Sequence, residues 1–136
     1  MRGASRREAS GAAGKVAPLY KNLYNRLPLK PVEFLGDSLD VLRSFPRAAR
    51  REAGFQVDRV QRRLDPLDWK SMTSVGQGAR EIRVRDETGA FRVIYVAKFA
   101  EAVYVLHCFQ KKTRRTPPRE IELARQRYGE LARKQR

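Results

Sequence analysis

An α+β fold is what this sequence predicts: a short N-terminal strand plus two helices packed on an antiparallel sheet with three consecutive strands, then a C-terminal helix. Three observations carry the expectation. Between Arg80 and Gln110, three runs of strand character are separated by two turn signals. The first two alternate with the period of two that marks a strand. Before them, Ala49, Ala53, Val57, Val60 and Leu64 recur at intervals of three or four, which is the stripe of an amphipathic helix. After them, Ile121, Ala124, Tyr128 and Leu131 repeat that spacing.

Taken in order, residues 1–29 read as a flexible basic extension, in which Leu19, Leu23 and Leu27 permit one short helical patch before Pro28. The compact pattern spans residues 30–131, and 132–136 form a basic tail. Pro31 to Leu35 alternates as a first strand, and Gly36 with Asp37 or Ser38 marks its exit and a helix N-cap. Leu39, Leu42 and Phe45 continue as a helical stripe, and Pro46 suits the first position of the second helix. Arg47, Arg50, Arg51, Arg62 and Arg63 form that helix's solvated face. Asp65-Pro66 stops it, and the segment to Ala79 reads as a long loop. Within that loop Trp69 either stacks on a base or plugs the edge of the core, the second being the commoner use.

The run from Arg80 to Arg85 presents Glu81, Arg83 and Arg85 on one face and Ile82 and Val84 on the other. Asp86-Glu87-Thr88-Gly89 supplies a tight turn. From Phe91 to Lys98, Arg92, Ile94 and Val96 face opposite to Phe91, Val93 and Tyr95. Ala102 to Gln110 is apolar on both faces and is therefore expected at the centre of the sheet. Thr116 and Pro117 open the last helix as N-cap and first-turn residue.

Composition narrows the function. A chain of 136 residues holds one ordinary core. Thirty Lys and Arg against fifteen Asp and Glu leave a net charge of +15, so a nucleic acid or an acidic protein is the expected partner. The lone cysteine, Cys108, forms no intrachain disulfide and supports no zinc cluster. Its apolar runs fall far short of the ~20 residues that span a bilayer. A soluble, cytoplasmic protein without a membrane partner is the expectation. Met1 to Lys15 has arginines but no apolar segment behind them, which speaks against a secretory signal; a polar tail and an organelle transit peptide share that composition.

Four short features in this order and spacing resemble the toxins of type II toxin–antitoxin modules, specifically the RelE/HigB group and its phage-related HigB-like proteins. They are Val32-Glu33-Phe34-Leu35 leading to Leu39 and Leu42; Arg80 to Arg85; Phe91-Arg92-Val93-Ile94-Tyr95; and Leu106 to Lys112 followed by Thr116-Pro117. The resemblance covers Lys30 to Leu131 and implies a RelE-like fold. It also implies a metal-independent endoribonuclease without cofactor, acting on messenger RNA at the ribosome and silenced by a cognate antitoxin, either a HigA-like helix-turn-helix protein or an acidic one.

The resemblance assigns candidate roles. Cleavage through the ribose 2′-hydroxyl needs cations for the charge growing on the phosphate, and no carboxylate or histidine cluster here is spaced for a metal. Arg83 matches the group's basic residue on the exposed face of the second strand, and Arg92 its strand-three arginine, whose planar fork suits two phosphate oxygens. Lys112, with its neighbour Lys111, matches the basic residue beyond the last strand. An ammonium can donate a proton where a guanidinium cannot. His107 completes the catalytic candidates, although strand alternation groups it with Val103, Val105 and Phe109 as a buried histidine unless a one-residue bulge intervenes. Arg80, Arg85, Arg114 and Arg115 are the expected RNA-binding residues. Cys108 reads as an inert strand thiol.

The chain departs from the group in two places. Pro117-Pro118 stands where the last helix usually carries a tyrosine, and Glu81 stands where a lysine would fit, either as a base or as a mark of slower chemistry. The competing expectations on the same scaffold are a non-catalytic, ParE-like gyrase inhibitor and a plain RNA- or ribosome-binding module.

Overall fold

The computed structural model describes residues 28–135. Residues 1–27, which make up most of the expected N-terminal extension, and Arg136 lie outside the described residues. In chain order the elements are β1 (Val32–Phe34), α1 (Ser38–Arg43), α2 (Arg47–Gln61), β2 (Trp69–Ser71), β3 (Ala79–Asp86), β4 (Gly89–Val96), β5 (Val103–Lys111) and α3 (Pro118–Lys134). They form the α+β architecture that the alternation and the helical stripes require. The five strands make one sheet in the order β1-β5-β4-β3-β2, with β1 parallel to β5 and the other neighbours antiparallel.

The three consecutive strands lie where the alternation puts them, and the doubly apolar β5 is internal. Two short edge strands flank them. β2 is a correction to the sequence reading, which has a loop there: Trp69, Lys70 and Ser71 pair with Ile82, Glu81 and Arg80. Three residues are too few to display a period, so only their pairing with β3 identifies them as a strand.

Each face of the sheet has its own core. Helices α1 and α2, with the turn between them, bring Leu42, Phe45, Ala49, Ala53, Val57 and Val60 onto Ile82, Val84, Phe91, Val93, Tyr95, Val103, Val105 and Cys108. Helix α3 brings Ala124 and Leu131, with Ile121 and Tyr128, onto Ala79, Ile94, Val96, Tyr104, Leu106 and Phe109. Fully burying a side chain of this size contributes about 1.5–3 kcal/mol relative to leaving it exposed. The α3 core occupies one end of the β3–β4 ladder. Toward the Asp86–Gly89 turn, the same face carries Glu81, Arg83, Arg85 and Arg92 instead.

That turn is closed by the Asp86 carboxylate, which accepts from the backbone N–H of Thr88 and Gly89 and from the Thr88 hydroxyl. Gly89 has φ 147°, a conformation only glycine adopts at ease. Helix α2 ends at Gln61 because Arg63 turns left-handed, at φ 66°. Leu64, expected on the helix stripe, consequently lies beyond the helix and is exposed. Pro46 is the N-cap of α2 rather than its first residue. Pro117 likewise caps α3, and the hydroxyl of Thr116 points to Glu81 instead of capping.

A bulge in β5 decides which side chains share a face. Ile94 lies opposite His107 but Tyr95 lies opposite Val105, so Leu106 is an extra residue. Strict alternation would put His107 with Val103 and Val105. The bulge instead places Leu106, His107, Phe109 and Lys111 on the α3 side and Cys108 with Val103 and Val105 on the other.

Candidate nucleic-acid interface

Arg83 and Arg92 are directly opposed across β3 and β4, and Arg92 is opposed on its other side by Phe109. Ala90 lies between Arg85 and Lys111 in the next row. The period of two therefore aims Arg83, Arg85, Arg92 and Lys111 to one face, beyond the edge of the α3 core. Lys70 and Glu81, directly opposed on β2 and β3, share that face.

Glu81 makes the concentration of cations tolerable. Its side chain is 2% exposed and that of Arg92 7%, with Arg92 Nε 3.6 Å from Glu81 Oε1. The Thr116 hydroxyl donates to the other carboxylate oxygen at 3.5 Å. Arg92 also donates through Nη1 to its neighbour's carbonyl, Phe91 O, at 3.0 Å. Arg83 Nε lies 3.2 Å from Asp68 Oδ1 as an ion pair without a hydrogen bond. Among the described residues, the buried Nε atoms of both Arg83 and Arg92 have no hydrogen-bond partner. Both Nε atoms face carboxylates, so an anion would be held by the charge of the two guanidinium groups rather than by these two N–H groups.

The same crowding shifts the pKa values of Lys111 and Arg92. Burial lowers the pKa of Lys111, and the charges of Arg92, Lys70 and Arg83 lower it further, with Glu81 opposing. Arg92 is lowered by burial, opposed by Glu81, and lowered again by Arg83 and Arg85. An incoming phosphate would relieve this repulsion.

The remaining candidates divide. Arg114 and Arg115 follow β5 in the connection to α3 and join Lys111 and Lys70 around a cavity of about 440 Å³. Lys112 instead lines a different cavity, of about 470 Å³, with Phe45, Phe91 and Arg119. Arg80 lies on the α2 side of the sheet. Its guanidinium stacks 3.9 Å from the centre of the Trp69 ring and its Nη1 donates to Asp65 Oδ1 at 2.9 Å. One face of Trp69 is thereby occupied.

His107 is buried and bonded into α3. Its Nε2 is 2.8 Å from Glu120 Oε1 and its Nδ1 is 3.4 Å from Arg127 Nη1. Because an arginine only donates, Nδ1 is the acceptor and Nε2 carries the proton toward Glu120. Arg127 also donates to Leu106 O and Asp37 Oδ1, each at 2.9 Å. This network fastens β5 and the β1–α1 turn to α3, and Arg83 and Arg92 take no part in it.

Cys108 is buried on the opposite face, and burial pushes its thiol up to about 12. The folded protein is expected to resist iodoacetamide at about pH 8.5, near the ordinary thiol pKa, and to react once unfolded. Alkylation of the folded protein at the rate of a free thiol would overturn this placement.

Lys70 is the site residue that sequence reasoning missed. Its role depends on β2, which leaves no periodic signal. Among the described residues, no three or more His, Cys, Asp or Glu side chains gather as a metal site would need, and no described helix is long and apolar enough to cross a membrane. The family model described as phage derived protein Gp49-like (DUF891) matches residues 40–129, a span that contains the whole cationic cluster. The comparison with curated proteins finds no match.

Proposed function

Since the chain belongs to the phage-derived Gp49-like protein family, within the RelE and toxin–antitoxin-related superfamily, we propose that it is the toxin of a type II toxin–antitoxin module and a metal-independent endoribonuclease acting on ribosome-bound messenger RNA. The observation that carries this reading is the Arg83–Arg92 pair, opposed on one sheet face beside Lys111. Family association with toxin–antitoxin toxins supports an antitoxin partner, and the net charge of +15 supports an acidic surface on it.

In the reaction, the 2′-oxygen attacks the adjacent phosphorus and a 2′,3′-cyclic phosphate forms as the bond to the 5′-oxygen breaks. Arg83 and Arg92 hold the non-bridging oxygens as their charge grows. Lys111, its pKa lowered by burial and by Arg92, gives a proton to the departing 5′-oxygen. Glu81 is enclosed between Arg92 and Thr116, so it positions Arg92, and the 2′-hydroxyl proton passes to water. The acceleration then comes from positioning and charge rather than from a strong base.

Incubation with translating ribosomes and with naked RNA, in the presence of a chelator, followed by mapping of the ends, tests the proposal. New 5′-hydroxyl and cyclic-phosphate ends are expected, most of them on the ribosome-bound message. Intact RNA in both reactions would leave the non-catalytic reading, a gyrase inhibitor or an RNA- and ribosome-binding module. The neutralisation of Arg92 by Glu81 favours that second reading.

A further inference from the structure

The geometry points to a second phosphate subsite, distinct from the Arg83–Arg92 pair, that takes a phosphodiester of a nucleotide flanking the one cut. It is the cavity of about 440 Å³ between β2 and the β5–α3 connection. The inference rests on the reading that this face binds RNA and adds where the strand continues.

Four cations from three segments line the cavity: Lys70 from β2, Lys111 from the end of β5, and Arg114 and Arg115 from the connection. The hydroxyl residues Ser71, Thr73 and Ser74 join them. Among the described residues no carboxylate lines it, in contrast to the Arg83–Arg92 pair with Glu81 and Asp68 beside it. Cations mixed with hydroxyls suit the several acceptor oxygens of a phosphodiester.

Each wall is held in place. Lys70 is set by the pairing of β2 with β3, where it lies opposite Glu81. The connection is folded on itself by the Thr113 hydroxyl, which donates to the Arg115 carbonyl. The cavity also adjoins the proposed reaction centre through Lys111. Glu81, opposite Lys70, is the residue that holds Arg92 at 3.6 Å. Lys111 belongs to both places, and the charges of Arg92 and Lys70 act on it together. A single strand with one phosphate between Arg83 and Arg92 therefore meets the cavity with a neighbouring phosphate. An acidic protein segment would use the charge but has no need of this adjacency.

The test uses a short RNA made uncleavable by 2′-O-methylation, with one neutral methylphosphonate moved along it. Affinity is read by fluorescence anisotropy over a range of salt. For the parent protein, neutralising one particular phosphate beside the cut position is expected to weaken binding about tenfold, the effect of ~1.4 kcal/mol. In the double variant Lys70→Ala, Arg115→Ala, that position should cease to matter. The slope of log affinity against log salt should also fall by about 0.7, from one lost phosphate contact on a single strand. Both residues are exposed, and an unchanged thermal midpoint will show that the fold is kept.

An unchanged slope, or a methylphosphonate effect equal in parent and variant, would overturn the subsite. So would a variant that keeps RNA affinity while losing binding to polyglutamate, since that result assigns the cavity to an acidic chain. Because the RNA cannot be cut, a positive result stands even if nuclease activity is absent. Cutting without the binding response removes the subsite alone.

Discussion

Arg92→Leu is expected to lose all detectable RNA cleavage and to destabilise the fold by about 3–5 kcal/mol, because it leaves the buried Glu81 carboxylate without its cation. For a domain of this size that is a fall in thermal midpoint of roughly 10–20 °C. Removing both charges should behave differently. In the variant Glu81→Leu, Arg92→Leu, two apolar side chains replace a loosely spaced ion pair, and such replacements are often neutral or stabilising. The double variant should regain most of the lost stability and remain inactive. Thermal unfolding of parent, both single variants and the double variant gives the coupling energy directly. Simple addition of the two single effects would show that Glu81 and Arg92 do not act as a pair, and the positioning role of Glu81 would fall with it.

The second large effect separates two adjacent lysines. Lys111 lies on the face of Arg83 and Arg92 and feels their charges, whereas Lys112 lines the cavity beside Phe45 and Phe91. Lys111→Gln is expected to lower the cleavage rate about 10²- to 10³-fold, the usual consequence of removing one group that stabilises or protonates the transition state. Arg83→Gln should fall in the same range. Lys112→Gln should lose less than tenfold. Single-turnover rates on ribosome-bound message, with circular dichroism as the check on folding, decide between them. If Lys112→Gln proves the more damaging change, the reaction centre lies at the cavity that Lys112 lines and the assignment of Lys111 must be withdrawn.

Much of the architecture was legible because local patterns here obey the rules of the elements they form. The runs from Arg80 to Arg85 and from Phe91 to Lys98 alternate, and both became strands with the expected faces, the second ending at Val96; their pairing puts Arg83 and Arg92 on a shared face. The doubly apolar run after Ala102 became the internal strand β5. The helical stripes were equally clear, and Asp37 caps α1 as expected, but α2 starts and stops, and α3 starts, away from where their sequences suggest. Proline and arginine set those ends through backbone geometry. β2 was not legible, and with it went Lys70 and the wall of the basic cavity.

His107 and Lys111 show most directly how a site can lie beyond the reach of pattern. A strand's period of two assigns a side to every residue only while the pairing is unbroken, and one extra residue at Leu106 exchanges the sides of all that follow. The sequence by itself determined the fold class, the excess of positive charge, and the presence of Arg83 and Arg92 on neighbouring strands. Only the tertiary structure decided that Lys111 rather than Lys112 joins them, that His107 is bonded to Glu120 and Arg127, and that Glu81 lies buried against Arg92. The physical reason is that these relations depend on register between distant segments and on burial by α3, and neither is encoded in the spacing of residues along one strand.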